Sequence, residues 1–339
     1  MDSKTKYLIV KGSGGGGLGD RIRSVLTGIA YAKLANRTIF IDWSDGKLIP
    51  QRRNVFFEIF HLNNIDYVRD CPVSDDVLPL IWQGKLDLSL HDQYQESKLV
   101  NWDRQAAIEL FSFDQRRLDY PQQILVMWEF DQLASFSSHY APGPDNSLMK
   151  YIAAQHLCVN EQILTEVQHY KQQTYLGQEK IIAVHIRATV EFQRQKYAVK
   201  LDHYLWQINR CLRHLNGQAK IFLATDNLDM ENQLKAAFPG QVCTRNKWFA
   251  DPGEKIHFNE QCPDADKSLQ DAIIEICLLA DSEYLIYQYN SSFGMIAHYL
   301  FKADDKNVFA LVPSFGLLGR LKCRLKKYLN AAFNKTHSQ

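Results

Sequence analysis

Apolar and polar positions change period repeatedly along this chain. Tyr7 to Val10 form a short apolar run, GSGGGGLGD follows, and Ile22, Val25, Leu26, Ile29 and Ala30 then recur at helical spacing. The helical pattern stops near Asn36. Ile39, Phe40 and Ile41 have the continuous apolar character of a strand covered on both faces, with Asp42 at its carboxyl end. The order predicts a strand, a glycine loop, a helix and a second strand. From Leu48 to Tyr140 the rhythm loosens: QRRNVFFEIFHL reads as a helix, and NIDYV and QQILVMW read as strands. APGPDNS at 141–147 is the strongest breaker cluster, after which YIAAQHLCVNEQILTEVQHYKQQTYLGQ reads as helical material leading to another strand.

The second half alternates more clearly. EKIIAVHIRATV predicts a strand and loop, LDHYLWQINRCLRHL a helix, KIFLATDN a strand and loop, and LDMENQLKAAF a short helix. SLQDAIIEICLLADS predicts a stronger helix with Leu269, Ala272, Ile273, Ile276 and Ala280 on its apolar face. EYLIYQYNSSFG returns to strand and loop, and NVFALV is a final strand. This alternation places the chain in the α/β class. Boundaries are expected to give residues 1–160, 161–318 and a basic terminal helix at 319–339.

Composition adds limits. A length of 339 residues suggests two domains of roughly 150 residues each, and 46% apolar with 23% charged residues can fill two cores. Lys plus Arg at 39 against Asp plus Glu at 38 gives a formal charge of +1, so no global field draws the chain to nucleic acid. Any anion site must be local. Cys71, Cys158, Cys211, Cys243, Cys262, Cys277 and Cys323 contain no CxxC pair, which argues for reduced, mostly buried thiols over a disulfide framework or zinc site. The N-terminal apolar run is far shorter than the about 20 residues that span a bilayer, so a cytoplasmic location is expected, and the glycosylation triplets at Asn36, Asn290 and Asn334 read as incidental.

Candidate chemistry lies at loops after apolar runs. In the glycine loop, Gly12, Gly14 and Gly17 fit G-x-G-x-x-G, and Asp42 lies near the spacing of a ribose-binding acid. The same loop can instead shape a cleft between the two halves, with Gly17 and Gly19 letting its amides approach a ligand, or be a tight turn alone. A Walker loop is disfavoured because Gly19 is followed by Asp20 and Arg21. In VHIRATVEF, Arg187 can fork two hydrogen bonds to phosphate or make a structural salt bridge, His185 can bond phosphate, ribose or backbone, and Thr189 can orient a hydroxyl or satisfy the loop. Thr225 and Asp226 end the next strand, where Asp226 serves a ligand or caps the following helix. Asn290, Ser291 and Ser292 precede a helix whose first amides can take a phosphate oxygen or be capped by serine, while Phe293 covers a ring or seals the core.

Together with GLGDRIRS, YAKLANRTIFIDW and ADKSLQDAIIEICLLADSEYLIYQYNSSFG, these phrases resemble the NodZ-like and α-1,6-fucosyltransferase superfamily over most of the chain. The resemblance implies a GT-B-like fold in which two Rossmann-like domains face a central cleft. It implies that the carboxyl-terminal domain holds GDP-fucose without a metal and that the amino-terminal domain shapes the acceptor side. It gives Arg187 the diphosphate, His185 an adjacent nucleotide role, Ser291 or Ser292 phosphate contacts, and Glu275 the guanosine, with Asp271 as the neighbouring alternative and a structural role in its apolar helix as the other reading of Glu275. The family's second basic residue is replaced by Ala188, which leaves either Arg194 or Lys196 from the same loop, or backbone amides, to compensate.

The implied reaction is inverting transfer of L-fucose from GDP-β-L-fucose to a hydroxyl of a glycan or oligosaccharide acceptor, with no cofactor. Arg187 stabilises the leaving diphosphate, and Glu191, Asp20 or Asp42 is the candidate base. Competing readings are an NAD-dependent oxidoreductase built on the glycine loop and Asp42, and a sugar-nucleotide-binding protein without catalysis. In the terminal segment Arg320, Lys322, Arg324, Lys326 and Lys327 interleave with Leu321, Leu325, Tyr328 and Leu329. That pattern predicts a helix packing back on the first domain, with peripheral contact to the cytoplasmic membrane face as the alternative.

Overall fold

A computed structural model describes residues 5–12, 16–97, 104–128, 145–177, 180–188, 198–251, 254, 256 and 259–313. The first half runs β1 (Tyr7–Lys11), α1 (Leu18–Leu34), β2 (Thr38–Asp42), α2 (Phe56–Ile59), β3 (Phe60–Leu62), β4 (Val77–Leu78), α3 (Leu90–Glu96), α4 (Arg104–Phe111) and β5 (Ile124–Met127). Its parallel sheet has the order β2-β1-β5-β4. Leu8, Ile9, Val10, Ile39, Ile41 and all four residues of β5 are buried, as a sheet covered on both faces requires.

The second half runs α5 (Asp145–His156), β6 (Leu157–Val159), α6 (Glu161–Tyr175), β7 (Ile181–Ile186), α7 (Leu201–His214), β8 (Lys220–Thr225), α8 (Leu228–Ala237), β9 (Val242–Cys243), α9 (Ala265–Ala280), β10 (Tyr284–Gln288), α10 (Ser292–Tyr299) and β11 (Val308–Leu311). A second parallel sheet has the order β11-β10-β7-β8-β9. The α/β class read from the sequence is thus present as two parallel sheets.

Short elements depart from the expected pattern. The FFEIF stretch stays helical for one turn only, because Phe60 becomes extended and β3 pairs antiparallel with β6, Phe60 opposite Val159 and Leu62 opposite Leu157. The same pairing divides the helical material expected after residue 147 into two helices. NIDYV contributes only a bridge between Tyr67 and Ile39. Cys211 and Cys243 are buried, whereas Cys71, Cys158, Cys262 and Cys277 are only partly so; all six are free thiols. Among the described residues no helix is long and apolar enough to cross a membrane. The segment 319–339 lies outside the described residues.

One apolar core joins the sheets. Val10, Ile29 and Ile41 belong to the same buried cluster as Ile273, Tyr287 and Ile296, and α1 packs on α10 while α5 packs on both. The α1–α10 contact depends on a missing side chain. A Cβ on Gly19 would lie 2.5 Å from the carbonyl carbon of Ser292 and 2.6 Å from the nitrogen of Phe293, so the two helices meet backbone against backbone there.

Candidate active site

The register of the second sheet assembles the site. His185 on β7 lies opposite Ala224 on β8 and Tyr287 on β10. Their successors, Arg187, Thr225–Asp226 and Asn290–Phe293, therefore leave the sheet at one carboxyl edge, where open α/β sheets commonly receive ligands. These residues line a cavity of about 950 Å³, and the first half contributes Gly16–Asp20, Arg23, a loop at 45–52 and His91 to its walls. The carboxyl ends of both sheets thus open on one space.

Arg187 is held at this edge by Asp226, whose Oδ2 lies 3.5 Å from its Nε. Arg187 makes no hydrogen bond to any described side chain or backbone group, so its guanidinium fork is available to an anion. Asp226 Oδ1 also accepts the Ala188 backbone N–H at 2.7 Å. The helix-capping alternative for Asp226 is corrected: Asn227 caps α8, its side chain accepting from Met230 N. Asp226 instead fixes the loop that carries Arg187. Ala188 is buried among β7, β8 and α7 residues, so a long basic side chain at that position has no room.

Ser291 is the N-cap of α10, accepting from Gly294 N, and its hydroxyl lies 3.4 Å from His185 Nδ1. Phe293 stacks on the His185 ring with centroids 4.9 Å apart. Burial, followed by the charges of Arg187 and Lys247, pushes the His185 pKa down to about 3. The imidazole is therefore neutral near neutral pH, a hydrogen-bonding wall rather than a proton donor of ordinary acidity. Thr225 is buried beside it, its Oγ1 accepting from Asn227 N. Ser292 and Phe293 line the cavity at the start of α10, where backbone amides favour an anion.

The α9 wall contains side chains that the sequence reading missed. Lys247 Nζ donates to both oxygens of Glu275 at 2.6 and 2.8 Å, and Arg245 Nη2 donates to Asp271 at 2.5 Å. Lys267 adds a second cation 3.3 Å from Asp271. The helix presents 267, 271 and 275 at four-residue spacing, while the extended segment after β9 presents 245 and 247 at two-residue spacing, so the acids and cations interlock. Burial raises the Glu275 carboxyl above its ordinary range, and Lys247 opposes that shift. Glu275 reaches the cavity wall already engaged by an ammonium, and Trp248 lines the same cavity.

On the facing wall, Gly17, Gly19 and Asp20 line the cavity at the start of α1. Gly17 caps that helix without a side-chain hydrogen bond. Gly12 serves packing: a Cβ there would collide with Arg21 Nη1. The buried Arg21 in turn donates to Asp45 Oδ2 at 2.6 Å. Asp42 does not line the cavity. Its carboxylate accepts Lys11 Nζ at 2.6 Å and the hydroxyl and N–H of Ser44. Lys11 also donates to the carbonyls of Leu86 and Leu88. Thr189, Glu191, Arg194 and Lys196, like Gly14, lie outside the described residues. The structure otherwise brings Gly17, Gly19, Asp20, His185, Arg187, Thr225, Asp226, Glu275, Ser291, Ser292 and Phe293 to the same cavity.

Two parallel sheets whose strand ends meet at a polar cleft define an α/β protein. Known structures sharpen that class. Similar folds include a NodZ α-1,6-fucosyltransferase soaked with GDP-fucose, with TM-score 0.57 and 18% identity over 88% of this chain and 93% of that one. NodZ from Bradyrhizobium has TM-score 0.55 and 18% identity over 87% and 92% of the two chains. A mutant of Arabidopsis thaliana FUT1 in complex with GDP has TM-score 0.54 and 13% identity over 89% and 70%. No family model and no curated protein sequence matches the chain. The fold is that of the NodZ-like fucosyltransferases.

Proposed function

We propose that this protein is a metal-independent, inverting glycosyltransferase that moves L-fucose from GDP-β-L-fucose to a hydroxyl of a glycan or oligosaccharide. Residues 161–318 form the Rossmann-like donor half and residues 1–160 the Rossmann-like acceptor half of a GT-B-like pair. The observation that carries this reading is the placement of Arg187, braced by Asp226, beside the amino end of α10 in a cavity walled by both sheets. An acceptor oxygen bonds to the anomeric carbon as the carbon–oxygen bond to the β-phosphate breaks, and the electron pair departs with GDP. Arg187 and the α10 amides stabilise the charge gathering on the diphosphate. Asp20, on the acceptor-side wall, takes the hydroxyl proton.

The dinucleotide reading gains no support from Asp42, whose carboxylate is committed to Lys11 and Ser44. Purified protein supplied with GDP-fucose and an oligosaccharide panel is expected to release GDP and form a product heavier by one fucose, with the rate unchanged by EDTA. Arg187→Ala is expected to weaken GDP binding about 10- to 100-fold, the loss of one charge-assisted fork. Unchanged affinity and turnover in that variant would defeat the assignment. GDP binding without transfer to any acceptor would favour the non-catalytic reading, and NAD-dependent absorbance change the oxidoreductase.

A further inference from the structure

The acceptor-side wall carries a charge that its neighbours do not cancel. Arg21 faces Asp45 at 2.6 Å, Arg23 faces Asp20 at 3.8 Å, and Arg52 faces Asp92 at 3.0 Å. Each charge in this group has an opposite partner except that of Lys47, which lines the cavity, is half-buried, and makes no ion pair among the described residues. An ammonium withdrawn partly from water in this way loses hydration without a protein anion to replace it.

The loop that presents Lys47 is firmly built. Asp45, fixed by the buried Arg21, accepts the Lys47 backbone N–H through Oδ1 at 3.1 Å. Between them Gly46 has φ +74°, in the left-handed region that favours glycine, and its α-carbon faces the Arg52 stem. Arg52 is itself clamped by two 3.0 Å hydrogen bonds to Asp92. Both arms of the loop are thereby anchored, and the lysine is carried on a fixed base.

We infer that Lys47 reads a negative group on the acceptor, so that the substrate is an anionic saccharide bearing a carboxylate or a phosphate near the accepting hydroxyl. This inference rests on the sugar-transfer reading of the cavity. Lys47 and Arg187 line the cavity from different halves of the chain, so the two cations divide the anions: Arg187 meets the diphosphate of the donor, and Lys47 meets the charge of the acceptor. A flexible ammonium with three donors tolerates either a planar carboxylate or a tetrahedral phosphate.

The test uses the full chain and three matched oligosaccharides: one with a terminal uronate, its methyl ester, and one with a sugar phosphate. GDP titration comes first, then binding of each oligosaccharide to the GDP-loaded protein, then transfer from GDP-fucose. The uronate or the phosphate is expected to bind and react at least about tenfold better than the ester, the scale of one charge-assisted hydrogen bond. Whichever of the two is preferred identifies the source of the charge. Lys47→Gln is expected to erase that preference while GDP affinity is retained, Lys47→Arg to keep it, and Lys47→Glu to reverse it. Equal use of ester and anions, or an unchanged preference in Lys47→Gln, overturns the inference and leaves the donor assignment standing. A parallel loss of GDP affinity in Lys47→Gln overturns it by making the lysine a donor contact. Absence of GDP binding by the unaltered protein defeats the transferase reading itself, and the inference with it.

Discussion

His185 stands at the cavity edge without behaving as a histidine in water. Its ring is buried against Phe293 and shares the vicinity of Arg187 and Lys247, and all three surroundings oppose protonation. In the unfolded chain the ring titrates near its ordinary value of about 6.5. Below that pH the unfolded state binds a proton that the folded state refuses. The resulting stability is complete above about pH 6.5 and is lost as pH falls toward the folded value of about 3. Urea unfolding measured across that window is expected to lose stability steadily on acidification, with a shallower slope in His185→Gln. A ring titration midpoint near 6.5 in the folded protein would contradict this account. At the same scale, the sequence makes Arg187, Thr225 and Ser291 legible, because each follows an apolar run that ends abruptly in polar residues. Asp42 shows the limit of that logic. It also ends an apolar strand, but Lys11, one strand away, takes its carboxylate inward.

Among elements, the pairing of α9 with the segment after β9 determines how the cavity wall holds together. Lys247→Met leaves the Glu275 carboxyl buried without its cation, a change expected to cost about 3 kcal/mol in urea unfolding. Because the folded pKa of that carboxyl lies above its unfolded value, the deficit should widen as pH rises past the unfolded value and shrink as the lone group protonates on acidification. Adding Glu275→Gln should recover part of the loss. A deficit independent of pH would mean that lost packing, not the stranded acid, is responsible. The acids of this wall, Glu275 and Asp271, were readable, whereas its cations were hidden from sequence reasoning for a geometric reason. Arg245 and Lys247 follow a two-residue strand, Val242–Cys243, too short to show a period, and their acids lie 26 and 28 residues downstream. β3 and β6 were obscured similarly, three residues each and joined only by a pairing across nearly a hundred positions. Long elements such as α9, with a repeating apolar face, carried a signal strong enough to read.

Across the whole molecule, the α1–α10 contact connects cavity shape to the stability of both halves. Gly19→Val would drive a branched side chain into the backbone of Ser292 and Phe293, neither of which can rotate away. A loss of about 2 kcal/mol or more is expected in thermal or urea unfolding, with weaker GDP binding because the start of α10 must shift. Full stability and affinity in that variant would show that the helices separate at little cost. Alternating strand and helix patterns announced the α/β class, but neither the strand order of the two sheets nor their union. No local pattern announces that Val10 and Ile296 share one core. That shared core constrains traffic through the site. Rotating one sheet away from the other would expose the apolar faces of α1, α5 and α10 to water, so a hinge motion of whole halves works against the burial that joins them. In the assembled form, molecules reach the space between the two sheets through the mouth of the cavity, so that opening sets the bulk of ligand it admits.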